Sequence, residues 1–161
     1  MEGKSFYDRI KAFMTIGTGE KDKNRLNSLI RSRMALLSCS EDGTPSSVFC
    51  YDVDDFELNP YDGVHGGFIC CLFDVGVAVT CCAYTDSMLT TTDINIQYLR
   101  PLPKGKYRLI TEITHAGQML VNATGKLVSE TGNDIFAVCT VSYMKVPEGY
   151  RIVDSHTEAA S

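Results

Sequence analysis

The sequence predicts an α+β fold: an antiparallel sheet wrapped around one long central helix, at about residues 66–84, with an extra N-terminal helix. Three observations predict it. The most apolar stretch, Phe68 to Tyr84, carries stripes at helical spacing. Two strand-like stretches precede it and four follow it, joined by turn-rich connections. The chain of 161 residues, 44% apolar and 22% charged, suffices for one domain and one sizeable core, not two.

Taken in order, Ser5 to Met14 reads as a short amphipathic helix with Phe6, Ile10 and Phe13 on one stripe. Thr15 to Asp22 is Gly- and charge-rich and reads as a loop. Arg25 to Ile30 reads either as helix or as the lead-in to a strand. Met34 to Ser40 and Ser46 to Val53 are strand-like and flank Glu41-Asp42-Gly43-Thr44, a hairpin signal. Glu57 to Gly63 is turn-rich, punctuated by Asn59-Pro60 and Asp62-Gly63.

His65-Gly66-Gly67 opens the apolar segment. Phe68, Leu72, Val75, Val79 and Cys82 form one stripe; Gly67, Cys70, Asp74, Ala78 and Cys81 form another on the opposite side. A helix with two apolar faces is expected to be buried on both. Leu89 to Leu99 alternates as a strand, with Thr92, Ile94, Ile96 and Tyr98 on one face and Thr91, Asp93, Asn95 and Gln97 on the other. Lys106 to His115, Met119 to Ser129 and Ile135 to Val146 complete the sheet. The expected division is an N-terminal extension at 1–33, the domain at 34–146, and a C-terminal tail at 147–161.

Composition excludes several classes. A net charge of −5 argues against nucleic-acid binding, which needs a basic face. No apolar run reaches the roughly 18 residues of a membrane span, because Asp74 interrupts the longest candidate. The seven cysteines include adjacent pairs, Cys70-Cys71 and Cys81-Cys82. Such pairs suit neither a disulfide framework nor a zinc site, so the cysteines read as reduced apolar side chains in an intracellular, cytoplasmic protein with no metal.

Asp74 is the residue that needs explaining: it is the only charge between His65 and Asp86. A carboxylate inside a buried helix is either held structurally by a backbone or Ser/Thr partner, or works chemically. His65 lies nine positions earlier, about 180° round the helix and about 13 Å along it. The two cannot meet within one chain, so a site built from both predicts a dimer. His65-Gly66-Gly67 stands where the helix begins. Backbone N–H groups are unpaired there and glycine admits a close ligand, as an oxyanion hole for a carbonyl under attack requires.

Asn59-x3-Gly63-x-His65-Gly66-Gly67-x6-Asp74, followed by Thr91-Thr92-Asp93-Ile94-Asn95-Ile96-Gln97-Tyr98-Leu99-Arg100-Pro101, resembles hotdog-fold acyl-CoA thioesterases of the PaaI and thioesterase-superfamily-member-2 type. The resemblance spans roughly 34–146. It implies a single hotdog domain, a homodimer or homotetramer, acting in fatty acid metabolism without cofactor. It further implies that Asp74 is general base or nucleophile and that the Gly66 N–H polarises the thioester carbonyl. Asn59 and His65 then orient substrate and water, and a hydroxyl early in the next strand positions the Asp. That hydroxyl falls on Thr91, with Thr90 and Thr92 as alternatives in register.

The chain departs from the resembling family at Gly117-Gln118, where many relatives carry Gly followed by Arg or Lys near the CoA phosphates. Arg100, Lys104 and Lys106 are candidate phosphate ligands in compensation. His115 and His156 read as exposed or strand-edge residues. The rival readings are an acyl-thioester dehydratase or hydratase, in which the His does proton work on carbon, and a non-catalytic acyl-CoA-binding hotdog protein.

Overall fold

The computed structural model describes residues 3–16 and 18–147. The expected tail at 147–161, with His156, therefore lies outside the described residues save for Pro147. Six strands form one antiparallel sheet in the order β1-β2-β4-β5-β6-β3: β1 (Met34–Ser40), β2 (Ser46–Asp52), β3 (Leu89–Tyr98), β4 (Lys106–Ala116), β5 (Leu120–Ser129) and β6 (Ile135–Lys145). Three α-helices join them: α1 (Phe6–Thr15), α2 (Leu26–Ser32) and α3 (Gly66–Thr85). The Arg25–Ile30 alternative thus resolves as helix, and the end of the expected loop, Glu20–Asp22, forms a 3-10 turn.

α3 is the helix around which the sheet curls. Its deepest face is Phe73, Gly76, Val77 and Thr80, all buried. This third face belongs to neither stripe read from the sequence. A Cβ on Gly76 would stand 2.2 Å from Leu109 Cδ2, so glycine is what lets the helix backbone approach β4. A buried hydroxyl triangle then fixes the helix over the sheet. Ser47 and Thr80 are 2.6 Å apart, Ser47 and Thr111 2.8 Å, and Thr80 and Thr111 2.9 Å.

The expectation that both sequence stripes are buried is only half right. Leu72, Val75, Val79 and Cys82 are buried, but Gly67 is exposed and Cys70, Asp74 and Ala78 are half-buried. The reason is what lies across the helix from the sheet. α1 and α2 reach the C-terminal half of α3, where Arg9 Nε donates to the Ala83 carbonyl at 2.8 Å and Phe6 meets Tyr84 edge to face. Ser5 caps α1, its hydroxyl accepting from the Asp8 N–H at 3.2 Å.

Membrane length also needs correcting. The 20-residue α3 contains an 18-residue stretch with a mean hydropathy of 1.9, long and apolar enough to cross a membrane by length and composition alone. One Asp does not lower the average enough to exclude it. The helix instead packs into the sheet, with Ile69, Leu72, Phe73 and Val77 in the core. All seven cysteines are free thiols. Burial pushes the Cys82 thiol up to about 11 and the Cys139 thiol up to about 12.

Candidate active site

Asp74 sits midway along α3, half-buried rather than sealed in the core. Its Oδ1 accepts a hydrogen bond from the Thr91 hydroxyl at 2.6 Å. Its backbone carbonyl accepts from the buried Tyr143 hydroxyl at 3.3 Å, which ties this turn of the helix to β6. Thr91 reaches Asp74 because β3 is irregular. Thr91 pairs with Tyr143 and Asp93 pairs with Ser142, leaving Thr92 as an extra residue. The simple alternation expected for Leu89 to Leu99 therefore breaks. Thr91 comes to the same side as Ile94 and Ile96, which pack on the core, and as Tyr98. Of the three candidate threonines, Thr91 is the one bonded to Asp74.

A cavity of about 150 Å³ opens beside this pair. Asp74 and Thr91 line it with apolar side chains of α3, Val75, Ala78, Val79 and Cys82. The remaining wall comes from the N-terminal extension together with Met88 and Leu89.

His65 and Gly66 stand at the other end of the geometry. His65 precedes the first helical turn, and the N–H groups of Phe68 and Ile69 both donate to its carbonyl. The Gly66 and Gly67 N–H groups come ahead of these bonds, at the end of the helix where donors lack intrahelical partners. The Tyr98 hydroxyl donates to the Gly66 carbonyl at 2.8 Å, and a Cβ on Gly66 would stand 3.3 Å from the Tyr98 ring. The sequence motif does not mark Tyr98 as a site residue. Its signal was its place on the Ile94 and Ile96 face of β3.

Asn59 organises the approach to His65. Its side-chain oxygen accepts from the Tyr61 N–H at 2.8 Å and the Gly63 N–H at 3.3 Å, closing a tight loop with Asp62 in the left-handed region at φ 60°. The oxygen is thus taken up by the loop, and the amide nitrogen donates to none of the described residues. Behind the loop lies Glu57, 1% exposed. It accepts from the Tyr51 hydroxyl at 2.9 Å and the Asp54 N–H at 3.4 Å, and its backbone carbonyl accepts from the His65 N–H at 2.9 Å. Burial pushes the Glu57 carboxyl above its ordinary value, against the lowering effect of the Tyr51 bond. Reading 57–63 only as turn-rich missed this anchor. The D-x-x-E spacing of Asp54 and Glu57, a capping box, was the available signal.

The expected substrate contacts separate into two places. Arg100 lies near Gly66, lining with Tyr98 and Leu102 a cavity of about 330 Å³. Arg100 pairs with Asp134, and Lys104 pairs with Asp55 at 2.6 Å. Lys106 begins β4, whereas Gly117 and Gln118 follow its end, about 35 Å of strand away. Gly117 makes the hairpin to β5, its N–H donating to the Leu120 carbonyl at 2.8 Å, and Gln118 is exposed. One chain therefore joins Asp74 with Thr91, and Gly66 with Arg100, but does not gather the basic residues and the Gly117 hairpin into one patch. Among the described residues no cluster of His, Cys, Asp and Glu could hold a metal ion.

This arrangement of sheet, helix and helix-start loop is the hotdog fold, and residues 61–136 match the Thioesterase superfamily model. Among solved structures, the chain is similar to zebrafish thioesterase superfamily member 2, with 16% identity, TM-score 0.71, and coverage of 88% of this chain and 99% of that one. It is similar also to the Escherichia coli PaaI protein of the phenylacetic acid degradation operon, with 16% identity, TM-score 0.69, and coverage of 89% and 97%. A Streptococcus mutans protein solved with acetyl-CoA bound shows 19% identity, TM-score 0.63, and coverage of 70% and 88%. No curated protein matches the sequence.

Proposed function

We propose that this protein is an acyl-CoA thioesterase that hydrolyses its substrate by water attack. The observation that carries the reading is the 2.6 Å bond from Thr91 to Asp74 beside a cavity. The bond fixes one carboxylate oxygen, and Oδ2 accepts no hydrogen bond from the described residues. A carboxylate held by one oxygen with the other available is the geometry of a general base. Acetyl-CoA bound in the Streptococcus mutans neighbour supports the substrate class.

In this reading Asp74 takes a proton from water as the water oxygen bonds the thioester carbon. The charge that develops on the carbonyl oxygen is held by the Gly66 N–H. The carbon–sulfur bond then breaks and the CoA thiolate leaves, with little need of acid because thiols ionise near pH 8.5. The proton held on Asp74 returns to solvent or thiolate. His65 and the Asn59 amide orient the substrate. Asp74 and His65 are nine positions apart on α3, so the Gly66 end of one site comes from a second copy of the chain. The reaction needs no cofactor, and the reduced cysteines suit a cytoplasmic setting.

Release of free thiol from a panel of straight-chain and aromatic acyl-CoAs tests the reading. Release by the native protein, lost in Asp74→Asn, is expected. Hydration of an enoyl thioester without thiol release would point to the hydratase instead. Tight acyl-CoA binding with neither reaction would leave a binding protein.

A further inference from the structure

The cavity beside Asp74 is walled on one side by Phe13, Ile16, Asn27 and Arg31, all from the segment ahead of β1. Arg31 is out of place there. Its Nη1 donates to the Ile16 carbonyl, but its Nε is buried without an acceptor. Among the described residues it forms no ion pair. Burial pulls its guanidinium below the ordinary value, the expected response of a cation kept from water. Asp74 lines the same cavity, yet bonds Thr91 rather than Arg31. A half-buried guanidinium without a counter-charge is unfavourable, and its planar fork matches a carboxylate.

We propose that Arg31 binds a carboxylate at the far end of the acyl group, so that the preferred substrates are short ω-carboxyacyl thioesters. The inference rests on the thioesterase reading and deepens it. Size supports it. A cavity of about 150 Å³ accepts a group of benzene's bulk, about six non-hydrogen atoms. Beyond its thioester carbon, a glutaryl group has three methylenes and a carboxylate, about six such atoms, and so fills that volume. The Asn27 amide stands at the same wall as a further donor. Ile16, Asn27, Arg31 and Met88 also wall a neighbouring cavity of about 290 Å³. The Arg31 head thus sets the depth of the acyl pocket as well as its charge.

The test compares glutaryl-CoA with its uncharged isostere, 5-methylhexanoyl-CoA, on the native protein, Arg31→Met and Arg31→Lys, with thermal unfolding to confirm that each is folded. The native protein is expected to favour glutaryl-CoA by about 10²-fold in kcat/KM, the scale of losing a partner from a desolvated charge pair. Arg31→Met should invert the preference and extend activity to longer unsubstituted acyl groups. Arg31→Lys, which keeps the charge but not the fork, should fall between. Hydrolysis of both thioesters with no preference, or a preference that Arg31→Met leaves unmoved, overturns the proposal and leaves the thioesterase reading standing. Hydrolysis of neither thioester, with thiol released from other acyl-CoAs, likewise overturns the proposal, whereas release from no straight-chain or aromatic acyl-CoA overturns the thioesterase reading instead. Calorimetric binding of the two thioesters then decides the role of Arg31. Tighter glutaryl-CoA binding that Arg31→Met abolishes sustains the carboxylate pocket, and equal binding ends it.

Discussion

At Asp74 a single oxygen separates two roles. Asp74→Asn keeps the shape and removes the base, so thiol release should fall by about 10²–10⁴-fold while acyl-CoA still binds. Thr91→Val keeps the bulk and removes the donor to the carboxylate, for an expected loss of about 10–10²-fold, the worth of a hydrogen bond to a charged group. A purely structural Asp74 predicts the reverse, namely lower melting temperature and activity lost only with folded protein. Glu57 offers a pH test. Its folded-state value lies above the ordinary one, so between the two the folded chain holds a proton that the unfolded chain has released. Stability therefore falls as pH rises through that window, and Glu57→Gln should flatten this slope in denaturant unfolding at a series of pH values. Asp74 and Asn59 were legible as residues because their types and offsets recur within one motif. Glu57, Tyr98 and Arg31 were not, because each matters through a partner 6, 32 or 15 positions away in sequence.

Helix α3 holds its place by close approach rather than by stripe alone. Gly76→Ala would drive a Cβ into Leu109, which is fully buried, and should cost about 1–3 kcal/mol by overpacking. Thr80→Val leaves the Ser47 and Thr111 hydroxyls bonded to each other but short of a partner, for about 1–3 kcal/mol. Chemical denaturation measures both. Strands β1, β2, β4, β5 and β6 were readable to within a residue or so, because alternation and turn residues mark their ends locally. The sheet-facing side of α3 was not readable. Glycine and threonine at 76 and 80 carry no apolar signal, and their meaning comes from Leu109, Ser47 and Thr111 on other elements. The phase of β3 was hidden for a similar reason, since no residue type announces the extra position at Thr92.

For the whole molecule the decisive question is how many chains make a site. Sedimentation should show at least a dimer at micromolar concentration, since His65 and Asp74 face opposite ways on one helix. Mixing Asp74→Asn chains with chains altered at Gly66 and Asn59 should restore part of the activity, and exchange without recovery would count against a shared site. The spare residue in β3 has a further consequence, for which changes of chain length the molecule tolerates. Deleting Thr92 leaves a regular strand in which Thr91 still meets Asp74 and Ile94 still packs on the core. Deleting Asn95 also leaves a regular strand between Tyr98 and Thr91, but it turns Ile94 outward and sets Asp93 under the helix. Two excisions three positions apart in one strand should thus have opposite fates, folded protein with measurable thiol release for the first and aggregation for the second.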